Sequence, residues 1–368
     1  MKNYFNFRVR GLQLFAVCIG YLLCIVAGGY SGMTISMHYT QAAAAAMAAV
    51  DPVTFSAVAR EALVELVVFQ ILYLLAACLL AFFYMRICIE GIEYRGEAVR
   101  TDYSFGRYLG LVALGTLLTF VTLGIYYPWF IARMTRFFSD NATYRDRPFH
   151  FKGAGWTLFC LMTFVLMIPY GILAFVLYFS SGVAAATGSA FFGILVPVCG
   201  VGILLLLALY YYLELKWFID FAYGEYRIRL KSPVLVALLF FFIQFTLSIL
   251  TLGLYLPVAL AMIYRFLVDN TVLLSGDGDE AGRFGYQGRF GYDCLYVFGQ
   301  SMLVLLTAGI YLAWATARIG RRLASRTYLE CPDTGGAVGS GTEGAEAIAP
   351  VVAPATWRRG FLRMSPAT

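Results

Sequence analysis

Seven apolar runs, each more than twenty residues long, leave this chain few ways to fold. They cover 11–33, 62–84, 109–131, 156–179, 191–213, 233–263 and 294–317. A bilayer's hydrocarbon core takes about 20 residues of helix to cross. A soluble domain is about a quarter charged, whereas here 13% of residues are charged and 61% hydrophobic. Mean hydropathy is +0.76. A transmembrane β-barrel shows short alternating segments instead. The expectation is an all-α polytopic membrane protein with four to seven membrane segments.

Lys2, Arg8 and Arg10 precede the first run. No clear A-x-A site follows, and the run is long enough to span, so it reads as a membrane segment rather than a cleaved leader. The eight cysteines form no CxxC, and the histidines are His38 and His150. No Cys/His metal spacing results, and neither a metal nor another cofactor is expected.

One phrase is written three times. "TLGIYYPWFIARMTRF" begins at Thr122, "TLGLYLPVALAMIYRF" at Thr251 and "TAGIYLAWATARIGRR" at Thr307. Glycine is a poor helix former, and proline lacks an N–H and clashes with the preceding turn. Gly124 with Pro128, Gly253 with Pro257, and Gly309 therefore mark a break or kink, with proline in the first turn of a new helix. Arg136, Arg265 and Arg321 share one register. Arg133 and Arg318 lie one turn earlier on the same face, where the middle copy has Met262. These five arginines are expected to anchor at the lipid headgroups, with membrane lipid as their partner. The alternative is a ligand or ion site at the break. A second phrase also recurs: "FRVRGLQLF" from Phe7 resembles "FKGAGWTLF" from Phe151.

The organisation read from these patterns is a two-span region over 1–90, then a first repeat unit with its following span over 94–182. A central span and connector occupy 183–232, the second and third copies 233–330, and a disordered tail 331–368. If all seven runs crossed, basic residues would fall on both sides, against the positive-inside rule. Four spans plus three segments that enter and return on one side put the basic segments, the N-terminus and the tail in the cytoplasm. A turn inside the membrane must then bury or satisfy its backbone.

Glu65 is the best candidate for an intramembrane acid, one turn beyond Glu61. No nucleophile with a base and no paired carboxylates appear, so no catalytic residue is assigned and no enzyme is expected. Membrane-facing arginines account for the net charge of +6 better than nucleic acid does.

The phrase "TLGIYYPWFIARMTRF", with Asp140-Asn141 and "FHFKGAGWTLF" after it, resembles the YjgN-like family of bacterial inner-membrane proteins, a domain of unknown function. The resemblance covers residues 94–327, with departures at Val258, Met262, Ala313 and Arg326. It implies the bacterial inner membrane and supplies no substrate, cofactor or catalytic residue. Two functions stay open, transport or permeation on one hand and a non-catalytic envelope scaffold on the other. Cargo and homo-oligomerisation stay open as well.

Overall fold

The computed structural model describes residues 2–49 and 52–330. The expected tail, 331–368, lies outside the described residues. The chain alternates short strands with helical hairpins. Strand β1 (Lys2–Phe7) leads into α1 (Gly11–Ala49) and α2 (Pro52–Glu90), followed by β2 (Ile92–Tyr94), β3 (Glu97–Ala98) and β4 (Arg100–Thr101). The second hairpin is α3 (Phe105–Val121) and α4 (Tyr127–Asp140), followed by β5 (Ala142–Tyr144) and β6 (Arg147–Phe151). The third rises through α5 (Gly155–Cys160), a π-helical turn (Leu161–Met167) and α6 (Ile168–Thr187), and returns as α7 (Ala190–Phe218). The π turn lies just before Pro169, which has no N–H to give the regular ladder. After β7 (Asp220–Tyr223) and β8 (Tyr226–Leu230) come α8 (Val234–Leu250) and α9 (Leu256–Asp269). Then β9 (Thr271–Leu274), β10 (Glu280–Tyr286), α10 (Phe290–Leu306), α11 (Leu312–Ala324) and β11 (Thr327–Glu330) complete the order.

The all-α expectation is therefore corrected. The protein is mostly helical, but eleven strands form one sheet in the order β3-β2-β1-β11-β10-β9-β8-β7-β6-β5-β4. Every pairing is antiparallel. The two end strands are consecutive in sequence, joined by Val99, whose N–H donates to Ile92 O at 3.0 Å. The sheet thus returns on itself as a near-barrel. In an antiparallel meander, successive connections alternate between the two edges. Here helical hairpins occupy one set of connections and tight turns the other, so all five hairpins leave from the same edge. Arg95-Gly96 and Arg145-Asp146 take positive φ at both positions, as two-residue hairpin turns require.

Aromatic rings line the inner face of the near-barrel. Phe284, Phe5, Tyr94, Tyr144, Tyr223 and Phe149 form a chain with neighbouring centroids 4.7–6.1 Å apart. Tyr144 donates its hydroxyl to Tyr94 O at 3.1 Å, and Tyr223 donates to Tyr144 O at 2.9 Å. Burial pushes both phenols above their ordinary pKa. The barrel interior is a packed aromatic core.

The hairpins come in two lengths. Among the described residues, Gly11–Gln41, Gly155–Thr187 and Ala190–Phe218 are long and apolar enough to cross a membrane. The runs at 109–131, 233–263 and 294–317 are each split into two helices instead. Helices α3, α8 and α10 have 17 residues each, about 25 Å at 1.5 Å per residue. Their tips are apolar and bare: Leu123 is 93% exposed and Leu252 94%.

The recurring phrase explains these tips. Gly124, Gly253 and Gly309 have φ of +91°, +86° and +90°, and the residues before them are also left-handed. Thr122, Thr251 and Thr307 each do two jobs. The hydroxyl donates to the carbonyl four residues back at 2.7–2.8 Å. It also accepts the N–H of Tyr126, Tyr255 or Tyr311 at 3.0–3.1 Å. Backbone carbonyls take the N–H groups of the other residues across the turn, as Gly253 N–H to Ser248 O at 2.7 Å. Pro128 and Pro257 sit in the first turn of the returning helix, where no N–H is needed. The turn is closed by hydrogen bonds of its own, which a turn surrounded by hydrocarbon requires.

Replacing Thr251 by Val keeps the shape and removes the acceptor for the Tyr255 N–H. Unfolding in detergent micelles should show Thr251→Val destabilised by about 1–3 kcal/mol, with Thr251→Ser close to wild type. Equal stability of all three would contradict this role for the threonine.

Candidate functional site

The fourth residue of each outgoing helix is buried against its hairpin partner and the sheet. These residues are Leu14, Tyr108, Leu158, Ala237 and Asp293, each at most 1% exposed. Four suit an apolar contact and the fifth is an acid. Its covering residue changes with it. Phe137 packs on Tyr108 with centroids 5.8 Å apart, and Phe266 packs on the cluster containing Ala237. In the phrase register of Phe137 and Phe266, the last hairpin carries Arg322. Asn141 and Asn270 each donate to a carbonyl at the end of their helix, and Arg326 takes that place.

These departures meet at one point. Arg322 Nε donates to Asp293 Oδ1 at 2.7 Å, and Arg326 Nη1 to Oδ2 at 2.5 Å. The Tyr286 hydroxyl donates to Oδ2 at 2.8 Å. Burial, the hydrogen bond to Asp293 and that carboxylate's charge raise the Tyr286 pKa well above its ordinary value, with Arg326 pulling the other way. The phenol remains a donor at neutral pH. Gly288 lets Arg326 approach, because a Cβ there would sit 2.4 Å from Nη1. A cavity of about 420 Å³ opens beside the cluster, lined by Gly288, Arg289, Tyr292, Arg322 and Arg326. Arg322 also lies over the Tyr296 ring, 4.4 Å from its centroid. Three guanidinium groups against one carboxylate leave the site with an excess of two positive charges. Among the described residues no cluster of His, Cys, Asp and Glu could hold a metal.

The residues singled out in the sequence are spread over separate hairpins. Arg133 and Arg318 sit over the rings of Tyr126 and Tyr311, at 5.5 and 5.6 Å. Arg318 also donates to the Tyr311 hydroxyl at 2.6 Å, and that hydroxyl donates to Gln300 at 2.8 Å. In the fourth hairpin, which carries the middle copy, Tyr255 donates to Gln244 at 3.0 Å and meets the Met262 sulfur. Arg136 donates to Gly153 O at 3.0 Å and Arg321 to Val9 O at 3.2 Å. Both carbonyls lie just before the first helix of the next hairpin. At the same junctions Trp129 packs where a Gly155 Cβ would be, and Trp314 where a Gly11 Cβ would be. The second recurring phrase is thus the receiving side of a joint between hairpins. Arg265 pairs with Asp269 at 3.3 Å. Glu65 is exposed on α2, about 38 Å of helix from Glu90 at 1.5 Å per residue. The Asp293 cluster was missed in the sequence, where Arg326 read as a departure from the phrase and Asp293 and Arg322 were not singled out.

Residues 2–140 match the family described as bacterial protein of unknown function (DUF898). The inner membrane protein YjgN of Salmonella typhimurium is 31% identical over 93 residues, which is 25% of this chain and 22% of that protein. Both matches support a YjgN-like family over the residues they cover. No solved structure matches the chain. The family match takes in the first two hairpins and the first copy of the phrase. The Asp293 cluster lies beyond the matched residues.

Breaking a buried ion pair from one side is costly. Asp293→Ala should lower stability by about 3–5 kcal/mol in micelle unfolding. Asp293→Ala with Arg322→Phe recreates the Ala237 and Phe266 pairing of the fourth hairpin and should recover part of that loss, with Arg326 and the Tyr286 hydroxyl still without their acceptor. A double variant no better than the single would refute the equivalence of the two sites.

Proposed function

We propose that this YjgN-like protein is a multi-pass inner-membrane protein that works as a non-catalytic membrane scaffold. In this reading the near-barrel lies on the cytoplasmic face and holds five hairpins apart in the bilayer. One observation carries it. Among residues 2–330, every Lys and Arg except Arg60 lies within nine residues of a strand. The helices beyond are apolar and bare. Of the most apolar windows of Gly155–Thr187 and Ala190–Phe218, 0% and 11% of residues are buried within the protein. That distribution supports the positive-inside arrangement with the basic sheet in the cytoplasm. The relative's own location in the inner membrane supports it too.

Scaffolding is favoured over permeation on two grounds. The aromatic core occupies the inside of the near-barrel, and the long helices turn their faces outward instead of enclosing a path. Three short hairpins that enter from one face and stop short of the other add area unevenly to the bilayer. Reconstitution into liposomes at rising protein-to-lipid ratio should shrink vesicle diameter, while efflux of trapped ions and small dyes stays at the protein-free rate. Efflux that rises with protein content at constant diameter would replace this reading with permeation.

A further inference from the structure

We infer that the cavity bounded by Arg289, Arg322 and Arg326 is a binding site for a phosphate group, carried by an anionic lipid headgroup or by a soluble phosphate. The inference goes beyond the scaffold reading and does not depend on it.

Asp293 consumes only one nitrogen of Arg322 and one of Arg326. The carboxylate is fully buried, while the two arginine side chains keep 30% and 27% of their surface. Asp293 therefore acts from behind, fixing two guanidinium groups that also line the cavity. Arg289 stands on the third side, exposed and with no ion-pair partner among the described residues. A guanidinium presents a planar fork of donors that matches phosphate oxygens in pairs. The volume, about 420 Å³, falls within the range of small-ligand sites.

Position narrows the ligand. Gly288 and Arg289 join the end of β10 to the start of α10, and Arg322 and Arg326 lie where α11 returns to β11. The site sits on the boundary between the charged sheet and the apolar helices. Tyr292, 63% exposed, flanks it with an amphipathic ring suited to a headgroup layer. The last hairpin has the arginines and the acid that orients them, whereas the second and fourth carry phenylalanine with tyrosine or alanine at those places.

The test uses purified full-length protein in maltoside micelles, following Tm. One arm titrates short-chain phosphatidylglycerol against short-chain phosphatidylcholine. The other titrates sodium phosphate against sodium chloride at equal ionic strength. A saturable rise in Tm with either phosphate probe above its control supports the site, and the probe acting at lower concentration identifies the source. Arg289→Ala should leave the ligand-free Tm unchanged and weaken the apparent affinity about tenfold, the loss of one charge-assisted contact. Arg283→Ala, an exposed arginine of β10 outside the cavity lining, should bind as wild type. No stabilisation above either control, or equal affinity in Arg289→Ala and wild type, would overturn the inference.

Discussion

A chain that turns around in hydrocarbon must satisfy its own backbone, because no water is there to do it. The threonine hydroxyl at each short tip meets that demand. It gives its proton to the preceding helix and takes the N–H of the tyrosine that opens the next one. Glycine supplies the left-handed backbone that lets the chain reverse within five residues. With the tip self-sufficient, a hairpin of two short helices can end among lipid chains. Without it, the same apolar run would have to cross as one helix and carry its basic flank to the far side.

The hairpins, short and long, in turn determine the sheet. Each returns its chain to the edge it left, beside the strand it came from. The two chain segments then pair antiparallel, and five such returns close a near-barrel from strands of two to seven residues. Strands this short gain stability from neighbours on both sides and from the aromatic core they enclose. Trp129 against Gly155 and Trp314 against Gly11 lock neighbouring hairpins at the level where they leave the sheet. Arg136 and Arg321 add a hydrogen bond across the same joints.

Much of the helical part was legible in the sequence, because long apolar runs and Gly/Pro breaks carry strong local physics. The phrase T-x-G-x-Y located its own turn, and the charge distribution favoured return over crossing. The sheet was not legible. "IEYRGEAVRT" and "ATYRDRPFHF" alternate for only a few residues and carry charges, so they read as basic segments, with no more than a short extended piece or turn at Phe149–Phe151. Tyr94 of the first pairs with Phe5 and Phe149 of the second with Tyr223, while the sheet's most distant pair sets Lys2 opposite Glu330. The Asp293 cluster was hidden differently. Its members lie in two segments, and Arg326, the one member noted as a departure from the phrase, carries no sign of its partner Asp293 when taken alone. Only the structure places an acid at the fourth position of α10 beneath an arginine that replaces Phe137 and Phe266.

The central claim is that all five hairpins leave one face and that three of them turn inside the membrane. Single cysteines in a cysteine-free background, probed in intact cells with a membrane-impermeant maleimide, test it directly. Ser189→Cys, between α6 and α7, should label from outside. Asp146→Cys and Asp277→Cys, in sheet turns, should label only after the inner membrane is opened. Leu252→Cys, at a short tip, should resist the charged reagent under both conditions. Outside labelling at position 146 or 277, or ready labelling at position 252 in intact cells, would contradict the account.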